Sequence, residues 1–249
     1  MKIAERWFVM AGVGLLAGIA LIGMIVAIYA AWLFHALPDA SDLADYRPAT
    51  ATRVYAGDGT LIGEFSDERR IYVSYEQIPE QVVQAFLAAE DRNFFSHGGV
   101  DVSGLGRAMF KNVFNAATGR RLEGGSTITQ QVAKLQFLDA GRDIERKLKE
   151  VPIALALELK YTKEEILSVY LNRVYLGAGT YGFEAAAQRY FGKSARVLSV
   201  AEAAMLAGLL RAPSRYAPTN DLALAQGRAS VIIRLMEEQG YLTEAETLD

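Results

Sequence analysis

An uncharged apolar run near the N-terminus constrains the fold of this chain more than any other feature of its sequence. No charged residue lies between Trp7 and Phe34, and a helix of that length can cross a hydrocarbon core about 30 Å thick. Lys2 and Arg6 precede the run, and aspartates follow it. Because basic residues favour the cytoplasmic side, the sequence predicts a single-pass anchor with a cytoplasmic N-terminus and the remaining chain outside. The alternatives are a buried helix of a soluble protein and a cleaved signal peptide.

The rest of the chain is long enough for one domain with a sizeable core. The protein has 249 residues, of which 51% are hydrophobic. Its formal net charge of -3 argues against general nucleic-acid binding. The absence of cysteine excludes disulfides, thiolate chemistry and cysteine metal sites. His35 and His97 have no partners at metal-ligand spacing, so the sequence predicts no metal site.

Changes in residue pattern divide the chain into three parts. Two extended segments flank the turn sequence Gly57-Asp58-Gly59-Thr60, which predicts a β-hairpin. After Pro79 the apolar residues recur at helical spacing. The predicted parts are a cytoplasmic tip with a transmembrane anchor (1–36), a connector with the hairpin (37–75) and a mainly α-helical domain (76–249).

Capping signals set the expected starts of several helices. Ser126 is expected to cap the helix that runs toward Phe137. Thr162 with Glu165, and Ser199 with Glu202, have the spacing of capping boxes. A further box at Thr243 and Glu246 has almost no room for its helix, so we expect more protein to follow in the natural chain.

Two carboxylates sixty positions apart, Glu90 and Glu150, are candidates for chemistry. Glu90 ends an apolar helical segment beside Phe94 and Phe95. Apolar surroundings raise the pKa of a carboxyl group toward the range of a general acid or base, and Asp91 could orient or tune it. The plainer alternative is a helix-end carboxylate in a surface salt bridge.

A polar run at a helix start is a candidate binding segment. It contains Ser126, Thr127, Gln130 and Gln131 and follows two glycines. Free amide groups at a helix N-terminus bind anions, and glycine lets a ligand approach the backbone. An ordinary capped helix would have the same composition.

Four basic residues follow this polar run along the chain. Lys134, Arg142, Arg146 and Lys147 would suit a diphosphate through charge and guanidinium fork contacts. The alternatives are a solvated basic face and a membrane-surface patch. Glu150 lies four positions after Arg146, so an internal ion pair is its simplest explanation.

These segments form an ordered series of motifs between about 65 and 220. The motifs are Glu90-Asp91-x-x-Phe94-x-x-His97-x-Gly99-x-Asp101, Gly125-Ser126-Thr127-Ile128-Thr129-Gln130-Gln131, Arg146-Lys147-x-x-Glu150, Ile166-Leu167-x-x-Tyr170-Leu171-Asn172, Tyr190-Phe191-Gly192-Lys193 and Leu198-Ser199-x-Ala201-Glu202-Ala203-Ala204. The series resembles the peptidoglycan glycosyltransferase (transglycosylase) family. The hairpin and the C-terminal ending look most like the N-terminal part of a class A (bifunctional) penicillin-binding protein, which implies a transpeptidase domain beyond this sequence.

The resemblance implies a mainly α, lysozyme-like domain with a small membrane-proximal lobe. It implies that Glu90 is the catalytic base, which deprotonates the 4-hydroxyl of the acceptor lipid II, and that the reaction is an inverting transfer from a lipid-diphosphate-linked glycan. Glu150 would position the basic residues or the diphosphate. The other residues expected to contact substrate are Asp91, Ser126, Thr127, Gln130, Gln131, Lys134, Arg142, Arg146, Lys147 and Asn172, the last of which is also expected to hold the lobe together. The segment from Phe110 to Leu122 matches a membrane-dipping region of the family, with Phe110, Val113 and Phe114 as lipid contacts.

The resemblance also implies partners and a location. The expected partners are lipid II, the lipid-linked glycan strand, the lipid bilayer and other cell-wall synthesis proteins, with no nucleic acid. The expected location is the inner (cytoplasmic) membrane, with the catalytic domain periplasmic or extracellular. No cofactor is obligatory, although magnesium (Mg2+) can assist the family. Two alternatives remain, a lysozyme-like muramidase that uses water and a catalytically inactive glycan-binding scaffold.

Overall fold

The structure is a computed structural model, and it describes most of the chain after residue 51. The described residues are 10, 12–14, 16–21, 23–25, 27, 28, 31, 52–65, 69–117, 124–138 and 144–243. The described positions between 10 and 31 are helical and exposed. Among the described residues, no helix combines the length and the apolar character needed to span a bilayer. Both ends of the predicted anchor, and positions 37–51 and 66–68 of the predicted connector, lie outside the described residues.

From residue 52 onward the described chain is mainly α-helical, as the sequence predicts. A short hairpin comes first, in which β1 pairs antiparallel with β2, and two further two-residue strands, β3 and β4, pair in parallel. The elements are β1 (Thr52–Tyr55), β2 (Leu61–Phe65), β3 (Arg69–Arg70), α1 (Glu80–Glu90), α2 (Val102–Ala117), α3 (Ile128–Phe137), α4 (Ile144–Lys160), α5 (Lys163–Arg173), β4 (Thr180–Tyr181), α6 (Phe183–Phe191), α7 (Val200–Leu209), α8 (Pro213–Tyr216) and α9 (Leu222–Glu238).

Side-chain capping fixes where several of these helices begin. Complete capping boxes open α5 at Thr162 and α7 at Ser199, where the sequence predicts them. The expected cap at Ser126 is wrong by one residue, because Thr127 caps α3 and forms its box with Gln130. Each box satisfies backbone N–H groups that the helix leaves free at its N-terminus.

Two groups of helices share one core, and they meet at the candidate site. α1 packs against α7 and α9, whereas α3 packs against α4 and α5. Phe86 of α1 and Tyr170 of α5 are fully buried and join the groups edge to face, with ring centroids 6.5 Å apart. Each buried ring stabilises the fold by on the order of 2 kcal/mol. The C-terminus of α1 is therefore held beside the N-terminus of α3.

Asn172 joins the segment after β3 to α5. Its amide donates to the backbone oxygens of Val73 at 2.9 Å and Ser168 at 2.8 Å, and its Oδ1 accepts from the Val73 N–H at 2.8 Å. Gly182 follows β4 with φ +83° and packs so closely that a Cβ there would lie 2.6 Å from the Asn172 carbonyl oxygen. The side chain of Asn172 is buried and bonded to backbone, which suits its expected holding role.

Candidate active site

A cleft of about 340 Å3 opens at the C-terminal end of α1. Glu90 and Asp91 lie on one side of it, and the chain before α3 lies on another. The lining residues are Ala88, Ala89, Glu90, Asp91, Arg92, Asp101, Gly104, Arg107, Ala108, Lys111, Gly124, Gly125, Ser126, Thr127, Leu235, Glu238 and Gln239. The structure therefore brings four of the predicted site residues to one cleft.

Opposing influences act on the pKa of the Glu90 carboxyl group. Burial raises the pKa of Glu90, and the neighbouring Asp91 charge acts in the same direction. Opposing this, Gln131 Nε2 donates to Glu90 Oε2 at 2.8 Å, and the charges of Arg228 and Lys134 also favour the ionised form. The net pKa is raised, in the direction that the apolar end of α1 predicts.

Asp91 connects three parts of the site. Gly99 N–H donates to Nδ1 of His97, so the ring proton lies on Nε2, which donates to the two carboxylate oxygens of Asp91 at 3.0 and 3.1 Å. The N–H of Ile128, the first residue of α3, donates to the same carboxylate at 2.9 Å. A carboxylate at a helix N-terminus is also stabilised by the helix dipole. Asp91 therefore fixes the start of α3 relative to the end of α1.

The polar run before and within α3 divides into buried and half-buried groups. The Thr127 hydroxyl donates to the Gly99 carbonyl at 2.6 Å and accepts from the Gln130 N–H at 3.1 Å. The Gln130 Oε1 accepts from the Thr127 N–H at 3.0 Å. Both side chains are buried and bonded within the protein. Gln131 faces Glu90, and Ser126 lines the cleft.

A carboxylate with two basic partners adjoins the cleft through Ser126. Glu150 is 3% exposed, and it accepts from Arg146 at 2.6 Å and from Lys147 at 2.5 Å. The same Lys147 ammonium donates to Ser126 Oγ at 2.7 Å. The ion pair predicted between Arg146 and Glu150 is therefore present, and Lys147, which remains half-exposed, extends it.

One of the basic groups beside Glu150 has an unused donor. Arg146 Nε is buried and has no hydrogen-bond partner among the residues that the structure describes, and an unpaired buried donor is costly unless a ligand completes it. Lys134 lies on α3, exposed, and its charge acts on Glu90. Arg142 lies outside the described residues. Cationic donors of this kind suit phosphate oxygens.

One charged residue of the site has no local sequence signal. Arg228 lies on α9, far along the chain from Glu90, yet its charge lowers the pKa of that carboxyl group. Gly208 on α7 makes room for its stem, because a Cβ at Gly208 would lie 2.9 Å from Arg228 Cγ. Burial lowers the pKa of Arg228. Only the packing of α9 against α7 and α1 reveals this neighbour.

Two further basic residues, Arg107 and Lys111, are brought to the cleft by packing. Arg107 and Lys111 are one turn apart on α2 and both line the cleft. In the sequence, only their i, i+4 spacing suggests that these two residues act together. Such spacing is common on the solvated faces of helices, so it does not indicate a site.

The described carboxylates of the site are engaged by protein donors. Within the described part of the chain, no group of three or more acidic or histidine side chains could hold a metal ion. Glu90, Asp91 and Glu150 instead accept hydrogen bonds from protein donors.

Comparison with known proteins identifies the family. The family model described as Transglycosylase matches residues 58–237. Penicillin-binding protein 1A of Rickettsia prowazekii (strain Madrid E) is 44% identical over 228 residues, which cover 91% of this chain and 29% of the relative. Penicillin-binding protein 1A of Escherichia coli (strain K12) is 40% identical over 246 residues, which cover 99% of this chain and 28% of the relative. The chain thus spans less than a third of the length of these relatives.

A solved structure also matches. The 2.6 Å crystal structure of penicillin-binding protein 1A from Haemophilus influenzae is 25% identical, with a TM-score of 0.46, over 81% of this chain and 20% of that one. The family model covers most of the chain and includes Glu90, Glu150 and the polar segment between them. The chain therefore belongs to the transglycosylase family of peptidoglycan glycosyltransferases.

Proposed function

We propose that this chain polymerises lipid II into glycan strands by inverting transfer of a lipid-diphosphate-linked growing chain. Glu90 accepts the proton of the acceptor GlcNAc 4-hydroxyl while that oxygen forms a bond to the anomeric carbon of the donor. The bond from this carbon to the diphosphate oxygen breaks, and the lipid diphosphate leaves with the electron pair. The observation that carries the proposal is the pairing of a desolvated base with a cationic cluster through Ser126.

The environment of Glu90 suits a general base. A raised pKa makes the carboxylate a stronger proton acceptor than an ordinary surface glutamate. The Gln131 amide, Arg228 and Lys134 each lower the pKa of Glu90 and so favour its ionised form. Gln131 engages Glu90 Oε2, which leaves Oε1 for the acceptor hydroxyl.

The cationic cluster suits the leaving group. A diphosphate needs charge stabilisation more than it needs a proton. Arg146 and Lys147 supply positive charge beside the cleft, and Glu150 holds both by direct ion pairs. Lys134 and Arg142 belong to the same proposed set. Thr127, Gln130 and Asp91 support it by fixing the start of α3.

The proposal places the enzyme at a membrane. Lipid-linked substrates require it, and exposed apolar side chains on the described helical positions between 10 and 31 are consistent with a single-pass anchor. We accordingly propose an anchor over 1–36, a connector over 37–75 and a lysozyme-like catalytic domain over 76–249, with its small lobe near an inner-membrane surface and a cytoplasmic N-terminus. Lipid II, the glycan strand, the bilayer and other cell-wall synthesis proteins are its proposed partners.

Two variants test the base assignment. The wild-type chain, Glu90→Gln and the control Glu164→Gln, which alters an exposed carboxylate in the first turn of α5, are assayed for lipid II polymerisation in liposomes. We expect polymer from the wild type and the control and none from a folded Glu90→Gln. Full activity of Glu90→Gln would show that another group is the base. A parallel assay on preformed glycan strands separates the alternatives. Release of glycan fragments there, with no polymer from lipid II, would favour a muramidase, and neither product would favour a glycan-binding scaffold.

A further inference from the structure

Glu158 of α4 bonds to two neighbouring helices from a largely buried position. Its side chain is only 10% exposed. The hydroxyl of Thr129 on α3 donates to Glu158 Oε1 at 2.5 Å, and the ammonium of Lys163, the first residue of α5, donates to the same oxygen at 2.7 Å. A buried carboxylate is costly without such donors. The three helices are therefore held together at this oxygen atom.

One route from Glu158 to Glu90 runs along α3. Thr129 is fully buried and lies two positions before Gln131, whose amide donates to Glu90 at 2.8 Å. Because the residues of one helical turn move together, the bond from Thr129 to Glu158 fixes the rotation of α3 against α4. It thereby sets where the Gln131 amide points.

A second route runs through the loop between α1 and α2. The Lys163 ammonium lies 4.4 Å from the centroid of the buried Phe94 ring, which is a cation–π contact. That ring meets the His97 ring edge to face, with centroids 6.1 Å apart, and His97 donates to Asp91. Since Glu158 holds the ammonium over the ring, the same carboxylate also steadies this loop.

The loop between α1 and α2 also packs directly on Glu158. Gly99 has φ +92°, and a Cβ there would lie 3.0 Å from the Ala154 carbonyl oxygen and 3.1 Å from Glu158 Cγ. The Gly99 carbonyl in turn accepts from the Thr127 hydroxyl at 2.6 Å. Closely packed interiors transmit displacements, so a shift of the Glu158 side chain would reach the loop.

Pro152 separates this junction from the cationic cluster. It lies inside α4, between Glu150 and Glu158. Proline has no N–H, so the helical hydrogen bond to the Leu148 carbonyl is missing. The missing bond weakens the mechanical link between the two halves of the helix. Glu158 should therefore act on the base rather than on the residues that hold the leaving group.

We infer that Glu158 is a positioning residue for the reaction, which aligns Glu90 through Thr129 and Lys163 without contacting substrate. Its effect on rate rests on the proposed function, whereas the alignment of Glu90 does not depend on which reaction the chain performs. Neither Glu158 nor Lys163 lies within the motifs of the sequence or lines the cleft.

Two substitutions at Thr129 test the route along α3. Thr129→Val removes the hydroxyl at nearly constant volume, and Thr129→Ser retains it. In lipid II polymerisation on liposomes, Thr129→Val should lower kcat by about ten-fold, because misalignment far from the reacting atoms slows the chemical step. Its KM should stay near that of the wild type, and Thr129→Ser should keep most of the wild-type kcat. An unchanged kcat in Thr129→Val, or an equal loss in Thr129→Ser, would overturn the inference.

A double-mutant cycle tests the route through the loop. Lys163→Met removes the ammonium and should lower kcat by about three-fold. In a Glu158→Met background, the ammonium has lost the carboxylate that holds it over Phe94, so Lys163→Met should add little further loss. Independent, multiplying losses would show that Glu158 does not act through Lys163.

Loss of stability alone is the competing explanation. Glu184→Gln is the matched control, since Glu184 on α6 is also buried and accepts from the Ala195 N–H at 2.8 Å and from the Ser194 hydroxyl at 3.2 Å. Denaturant titration gives the loss of stability in Glu158→Gln and in Glu184→Gln, and only Glu158→Gln should have a reduced kcat. Equal kcat values in the two folded variants would show that Glu158 has a structural role alone.

Carbon-13 NMR of the glutamate carboxyl groups separates this inference from the proposed function. The Glu90 signal is identified by its loss in Glu90→Gln. The Gln131 amide lowers the pKa of Glu90, so in Thr129→Val the titration midpoint of Glu90 should move to higher pH. The charged groups that also act on Glu90 are Asp91, Lys134 and Arg228.

Each result of this titration decides the inference. An unmoved midpoint would contradict the alignment of Glu90 by Glu158. A moved midpoint together with no polymer from the wild type would contradict the proposed function and leave the alignment in place.

Discussion

The amide of Gln131 lies 2.8 Å from the Glu90 carboxylate, and this contact joins the start of α3 to the end of α1. Because a carboxylate only accepts, Nε2 of the amide must face Glu90, and Oε1 faces the Tyr170 hydroxyl at 3.5 Å. Burial holds the pKa of Tyr170 well above its usual value, so this hydroxyl remains a donor. The orientation of the amide, and with it the free oxygen of Glu90, is therefore set by α5.

Gln131→Leu should move the acidic limb of the pH–rate profile to higher pH. The Gln131 amide lowers the pKa of Glu90, so its removal leaves the carboxyl group protonated over a wider range, and a protonated base is inactive. Lost positioning should also reduce kcat/KM by about five-fold at the optimum. The control is Gln226→Leu, an exposed amide on α9, whose profile should match the wild type. An unshifted limb in Gln131→Leu would show that the contact does not tune Glu90.

Glu90→Gln should stabilise the fold at pH 8 while removing activity. The pKa of Glu90 is raised in the folded chain, so the folded state binds more protons than the unfolded state between the two pKa values. Stability contributed by the protonated carboxyl is complete at low pH and is lost as pH rises. Thermal unfolding at several pH values should show a higher Tm for the variant at pH 8 and a shrinking difference toward pH 4. A difference independent of pH would contradict the linkage.

Asp91→Asn should destabilise the protein more than it changes substrate affinity. Hydrogen bonds from His97 and the Ile128 N–H to a carboxylate would be weakened, at a cost of about 1.5–3 kcal/mol in the free energy of unfolding. Denaturant titration measures this loss. Asp221→Asn is the matched control, because Asp221 caps α9 and asparagine caps a helix equally well. Equal effects of the two substitutions would show that Asp91 has no special linking role.

Lys147→Met should impair transfer with little loss of stability. Its ammonium is half-exposed, and Arg146 would still pair with Glu150. If Lys147 stabilises the departing diphosphate, kcat should fall by about 100-fold. Lys193→Met removes a comparable surface ion pair with Glu202 and should leave kcat unchanged. Similar kcat values in the two variants would remove Lys147 from the mechanism.

Local patterns predicted those parts of the fold that local hydrogen bonds determine. The capping boxes at Thr162 and Ser199 are present because each involves residues within one turn. At the start of α3, Ser126 and Thr127 are both suitable caps. Thr127 takes the position because its hydroxyl also reaches Gly99, while Ser126 pairs with Lys147 of α4. Contacts between distant segments decided this choice, and no local pattern contains them.

The candidate site also combines features that the local sequence predicts with features that depend on contacts between distant segments. Burial and a raised pKa at Glu90 follow from the apolar sequence before it. The influence of Arg228 depends on how α9 crosses α7 beside a glycine, and nothing near either residue in the chain indicates it. The roles assigned to Glu150 and the basic residues stay predictions, although the ion pairs among them are present.

The position of Ser126 has a consequence for inhibition. Its hydroxyl lines the cleft beside Glu90 and also contacts the ammonium of Lys147. Under the proposed function, a small molecule seated on this hydroxyl would compete with acceptor and donor at once. Escape by substitution at Ser126 would then impair both halves of the reaction, so resistance at this position would be costly to the cell.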